Sequence, residues 1–200
     1  MVNILVIGRT GVGKSTLVNA VLQEKLAKTG HGRPVTKEFQ EFSTEGIGVS
    51  LADTPGFELS GYPEALHSLE KAIASGHTGT GRRRSFHACW LCIPEDMRRV
   101  EEAESILSEA VSRYCPVIGV ITKARSNDAF SDVVRRLLPE TRSVVRVRAL
   151  SEELDDGHTT PPTGLVELLT ATGQVIDGRR RRTLDRVIDR LRERRERKET

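Results

Sequence analysis

The stretch Gly8-Arg9-Thr10-Gly11-Val12-Gly13-Lys14-Ser15 decides the fold of this chain. Ahead of it, Asn3-Ile4-Leu5-Val6-Ile7 is a short apolar run rich in β-branched residues, the pattern of a buried strand. Behind it, Leu17, Val18, Val21 and Leu22 recur on one face, and the spacing predicts a helix over 15–23. Strand, glycine turn and helix in that order bring a row of backbone N–H groups and the positive end of a helix dipole to one point. Glycine lets the backbone close around an anion with no Cβ in the way. The last two positions complete GxxxxGK[ST], in which lysine reaches the β- and γ-phosphates of a nucleotide and the hydroxyl ligates Mg²⁺. Arg9, Thr10, Gly11, Val12, Gly13, Lys14, Ser15 and Thr16 are therefore the expected phosphate-binding set.

A second signal lies downstream. Asp53-Thr54-Pro55-Gly56 follows a strand predicted over 47–52. Asp-x-Pro-Gly alone is an ordinary turn. Behind a phosphate loop, its carboxylate is placed to hold Mg²⁺ directly or through water, and Gly56 leaves its N–H free to approach the γ-phosphate. Between the two motifs, 24–35 carries Gly30, Gly32 and Pro34 and reads as a mobile loop. Thr36 follows it. Its hydroxyl would complete the Mg²⁺ shell and make this loop a switch ordered by the triphosphate. The expected catalytic set is Lys14, Thr36 and Gly56, and the expected metal set is Ser15, Thr36 and Asp53. Two further pairs, Thr122-Lys123 and Ala149-Leu150, fall at the ends of strands predicted over 116–121 and 144–149, and ligand contacts cluster at the carboxyl ends of parallel strands.

The remaining chain alternates in the same way. Strands are predicted also over 36–44 (an edge) and 86–93, and helices over 63–75, 97–114, 129–138 and 164–176. That alternation gives an α/β fold of three layers, a P-loop NTPase arrangement with a mostly parallel six-stranded sheet and helices on both faces. The expected division is a nucleotide-binding domain over 1–176 and a basic amphipathic helical tail over 177–200.

With 37% hydrophobic and 30% charged residues the chain has the composition of a globular domain, and no apolar run is long enough to span a bilayer. The chain enters its first strand directly, so no leader is expected. Three cysteines, an odd number, fit a reducing compartment, and a cytoplasmic location is expected, with peripheral membrane contact left open. Cys89-Trp90-Leu91-Cys92 is formally a CxxC, but on a strand the two thiols face opposite sides, which favours buried thiols over a zinc or redox pair.

The net charge of +3 is uneven: 178–200 holds eleven Lys/Arg against five Asp/Glu, so the rest of the chain is acidic. Leu184, Val187, Ile188 and Leu191 form one stripe of the tail, opposite an arginine-rich face. Three readings compete: a terminal helix packed on the domain or on a second copy, a contact with anionic lipid, and nonspecific binding of RNA or the ribosome. No aromatic residue is interleaved for base stacking. The glycine- and arginine-rich 76–84 segment is expected to be a disordered or partner-binding loop.

The segments GRTGVGKSTLVNAVL, PVT and LADTPGF, in that order, resemble the Era-like P-loop GTPases. These are the translation-factor-related G domains of the bacterial 50S ribosome-binding type. The resemblance covers 1–176 and implies GTP/GDP and Mg²⁺ as ligands, with GTP hydrolysis, weak in the isolated protein, used as a conformational switch. It also implies that Thr36 is the switch threonine, that Asp53 and Gly56 form the second switch, that Thr122-Lys123 packs on guanine, and that Ala149 offers an N–H to guanine O6. Two residues qualify what the resemblance implies. Arg125 stands where the base-reading motif [NT]KxD has aspartate, and a donor-only guanidinium cannot accept from guanine N1 and N2. Asp128 either substitutes for it or, with Ser126-Asn127, caps the next helix. Phe57 stands where Ras-like proteins orient water with glutamine; Era-like proteins often carry a hydrophobic residue there, so the departure is from Ras, and it implies slow hydrolysis alone, with help from a potassium ion, a dimer partner or an activator. Arg9 either adds to the charge on the phosphates or faces solvent or a partner. Two alternatives to the switch remain: a nucleotide-binding assembly or scaffold module with negligible turnover, and a P-loop ATPase.

Overall fold

The first strand, β1 (Val2–Ile7), builds two layers at once: Val2, Ile4 and Val6 enter one apolar core, and Leu5 and Ile7 enter the other. The computed structural model describes residues 1–23, 27, 40–43, 48–56, 62–76, 85–125, 129–153 and 159–199. Around β1, five strands complete a sheet in the order β2-β3-β1-β4-β5-β6: β2 (Gln40–Ser43), β3 (Val49–Asp53), β4 (Ala88–Pro94), β5 (Val117–Thr122) and β6 (Thr141–Arg146). Only the edge strand β2 is antiparallel; the other pairs are parallel. The expected six-stranded, mostly parallel α/β sheet is the observed one.

The helices α1 (Lys14–Leu22), α5 (Leu165–Val175) and α6 (Gly178–Glu199) cover one face. The helices α2 (Tyr62–Ser75), α3 (Glu102–Ser112) and α4 (Ala129–Leu137) cover the other. The two layers explain the CxxC. On β4, Cys92 and Trp90 face the α1 side and Cys89 faces the α3 side, so both thiols are buried apolar side chains in different cores.

Two elements shift most from the sequence expectation. The helix expected over 97–114 starts at Glu102, because Arg98 takes a left-handed φ of 45° after a 3₁₀ turn over Glu95–Met97. A capping box then restarts the chain: Glu101 and Glu104 each accept the other's backbone N–H. The strand expected over 144–149 runs over Thr141–Arg146 instead. It lies at the sheet edge, and the chain leaves it before Ala149. A short ladder, β7 (Glu152–Glu153) with β8 (Thr159–Thr160), follows it and was not anticipated.

The tail helix α6 buries Leu184, Val187 and Ile188 in the same core as Leu168 and Leu169 of α5, with Leu191 partly buried beside them. The apolar stripe is therefore spent on the domain itself, the packed-helix reading, and is not available to lipid. Arg179, Arg181, Arg182, Arg186 and Arg190 lie on the exposed face. Among the described residues, no helix is long and apolar enough to cross a membrane.

Candidate nucleotide site

The phosphate loop leaves β1 at Gly8 and enters α1 at Gly13, which is the N-cap residue with φ 99°. Glycine is needed there because this left-handed turn aims the following N–H groups into the loop. Lys14 is buried, and its ammonium donates to the carbonyls of Gly8 (3.0 Å) and Arg9 (2.9 Å). Burial lowers its pKa, while Asp53 and then Cys92 oppose that shift. Next to it, the Ser15 hydroxyl donates to Asp53 Oδ2 at 2.6 Å. Asp53 is fully buried at the end of β3 and pairs in register with Val6. Thr54 pins this end, donating from N (3.2 Å) and Oγ1 (3.1 Å) to the Val6 carbonyl. Gly56 then passes directly over the loop: a Cβ there would meet Thr10 Oγ1 at 2.2 Å and Thr10 N at 2.7 Å. Only glycine fits that approach.

Serine hydroxyl and carboxylate, two hard oxygens beside an ammonium and a row of N–H groups, form the donor set that suits Mg²⁺ on a phosphate. The sequence-predicted Lys14, Ser15, Asp53 and Gly56 are thus brought together by β1, α1 and β3. Thr36, Phe57 and Asp128 lie outside the described residues.

Arg9 takes neither course expected for it. Its guanidinium turns to α3, where Nε donates to Glu104 Oε1 at 2.6 Å and Nη1 lies 3.6 Å from Glu101. Glu104 is fully buried, which raises its pKa, with Arg9 opposing.

At the other end of the loop, Thr122 Oγ1 donates to the Val12 carbonyl (2.5 Å) and lies 3.3 Å from that of Ile93. Lys123 takes a left-handed φ of 54° and pairs with Asp96 at 2.8 Å. Ala149 is half-buried beyond β6, and Leu150 is 62% exposed. Three carboxylates that carried no sequence signal surround this end. Glu95 is buried and accepts from Arg146 Nη2 (2.6 Å) and from the Arg125 backbone N–H. Glu152 accepts from the Arg125 side chain, and Asp96 pairs with Lys123.

Sheet order, glycine loop and Ser15–Asp53 pair together define a P-loop nucleotide-binding protein. A family model described as 50S ribosome-binding GTPase matches residues 3–123, and the chain belongs to that family. A probable GTP-binding protein EngB of Bartonella bacilliformis is 26% identical over 182 residues, spanning 84% of this chain and 81% of the relative. Cell division control protein 10 of Candida albicans is 27% identical over 150 residues, 62% of this chain. The chain spans only 42% of that relative's length. Among solved structures, Era in complex with MgGDPNP and nucleotides 1506–1542 of 16S ribosomal RNA shares the fold, with a TM-score of 0.62 at 18% identity. That match covers 88% of this chain and 56% of the Era chain.

Proposed function

We propose that this chain binds a guanine nucleoside triphosphate with Mg²⁺ and hydrolyses it as a conformational switch. The observation that carries this reading is the Ser15 hydroxyl held 2.6 Å from the buried Asp53 carboxylate, at the mouth of α1 and beside Lys14. Family membership and the MgGDPNP bound to the Era neighbour support it. Bound Mg²⁺ would neutralise charge on the terminal phosphate oxygens. Ser15 would offer its oxygen to the ion, and Asp53, released from that hydrogen bond, would hold the ion's outer shell. Lys14 would exchange two loop carbonyls for phosphate oxygens. The swap suits a cation whose burial already disfavours its charge. The loop N–H groups would fix the phosphates in line for attack by water.

Turnover is slow in this reading. Arg9, the loop's second cation, is held by Glu104 and is not offered to the phosphates. Calorimetry with GDP, GTP and their adenine counterparts, with and without Mg²⁺, tests the binding. Phosphate release over many turnovers tests the reaction. The expected result is Mg²⁺-dependent binding of guanine nucleotides and slow release abolished by Lys14→Ala. Equal binding of ATP and GTP would overturn the guanine assignment, and tight GTP binding without release would leave a scaffold in place of an enzyme.

A further inference from the structure

Ligands of an open parallel sheet lie outside the carboxyl ends of its strands, so a purine whose phosphates sit in the loop at 11–15 would meet the chain after β5 and the chain after β6. These two run side by side. Ala124 N donates to the Val147 carbonyl at 3.2 Å, and Arg148 Nη1 donates to the Ala124 carbonyl at 3.0 Å. Thr122, at the end of β5, bonds the first of them to the phosphate loop.

Guanine differs from adenine on one edge, where N1–H and the 2-amino group are both donors. Only an acceptor can complement that edge, and a carboxylate does it best. Position 125, where the resembling family places its aspartate, carries arginine. Among the described side chains, three carboxylates lie at this end of the sheet. Glu95 is 4% exposed and engaged by Arg146 and the Arg125 backbone, which places it beneath the surface that a base would touch. Asp96 pairs with Lys123 and lies in the turn after β4, outside the two chains that run side by side. The third is Glu152. Arg125 grips it with a fork, Nε to Oε2 at 3.0 Å and Nη2 to Oε1. Its backbone is fixed independently: the β7–β8 ladder pairs Glu152 with Thr160, whose hydroxyl donates to the Glu152 carbonyl at 3.1 Å.

The geometry points to Glu152 as the residue that reads guanine, with Arg125 as the positioning residue that holds it. The acceptor stands in the second loop, and the arginine of the first serves as its bracket. The fork takes the two lone pairs of the carboxylate that point the same way, and each oxygen keeps one that points outward, so Glu152 can accept from the 2-amino group while Arg125 holds it. An isolated surface pair of this kind contributes about 0–1 kcal/mol to stability. Stability therefore separates poorly from a structural role, and base discrimination separates well.

This inference rests on the guanine-nucleotide reading above, and the test distinguishes the two. Affinities of the full chain are measured for GDP, for inosine diphosphate, which lacks the 2-amino group, and for xanthosine diphosphate, which carries an acceptor there. The wild type is expected to prefer GDP over inosine diphosphate by about tenfold or more, the loss of one charge-assisted hydrogen bond. Glu152→Gln is expected to bring the two together, to leave inosine diphosphate affinity within about threefold, and to gain xanthosine diphosphate. Arg125→Lys, which keeps the charge and loses the fork, is expected to fall between. An unchanged GDP-to-inosine ratio in both variants would overturn the assignment, as would a ratio lost in Asp128→Asn and kept in Glu152→Gln. A wild type that binds none of the three nucleotides would instead overturn the nucleotide reading itself.

Discussion

Arg9 and Glu104 are joined at 2.6 Å, a loop residue of the phosphate site bonded to a fully buried carboxylate of α3. A buried charge with its partner removed is expensive. Arg9→Ala should lower stability by about 3 kcal/mol. Burial already holds the Glu104 pKa up and Arg9 opposes that, so the variant raises it further. The folded state then keeps a proton that the unfolded state gives up, and stability falls as pH rises. The deficit should be larger at pH 8 than at pH 5 in urea titrations. An equal deficit at both would show that Glu104 is not the group left behind.

The tail helix behaves as core. Leu184 is fully buried among α5 side chains, and Leu184→Ala should cost about 2–5 kcal/mol. Arg182→Ala, on the exposed face, should change stability by less than about 0.5 kcal/mol. Equal, small effects in thermal melts would mean the helix is only loosely attached.

Trp90, the chain's one tryptophan, donates its indole N–H to Thr172 Oγ1 of α5 at 3.0 Å, and both residues are buried. Thr172→Val keeps the shape and removes the acceptor. It should cost about 1–3 kcal/mol, the penalty of an unpaired buried donor. Fluorescence of this tryptophan reads the unfolding midpoint directly, and an unchanged midpoint would contradict the hydrogen bond.

All three thiols are buried, and burial pushes both Cys92 and Cys115 up to about 12. At pH 8 a thiol reagent should find none of them until the protein unfolds. In the unfolded chain they lose protons near the ordinary 9.0, but in the fold they keep them. Stability should therefore fall as pH rises from 9 toward 12. Fast labelling of one native thiol at pH 8 would contradict this burial.

The strand–loop–helix unit at 2–22 was legible because local pattern and motif agree there: alternating β1 side chains serve two cores, and the glycines sit where the turn demands them. Asp53 was legible for the same reason, since a strand delivers it to the loop. Thr141 and Arg142 were not legible as a strand start. They open an edge strand that is only half-buried, so hydrophobic alternation carries little signal there. The pairs Arg9–Glu104, Arg146–Glu95 and Arg125–Glu152 span 95, 51 and 27 residues of sequence. No local rule links such positions; they meet only once the sheet has ordered its strands. Arg125 shows the consequence. Its sequence position announced a missing acceptor, but only the fold shows which acceptor it holds.

One hydroxyl sets the mechanics of the site. Thr122 fastens the chain after β5 to the phosphate loop through Val12 and lies against the end of β4 at Ile93. That hydroxyl therefore joins the flank where a base would rest to the loop where its phosphates would rest. The opposite flank is fastened to the same unit: Asp53 belongs to β3, which pairs along its length with β1, and Thr54 is bonded to the Val6 carbonyl. Both walls of the site thus hang from the glycine loop and the strand that carries it, so displacing that loop would disturb the Asp53 side and the Thr122 side together.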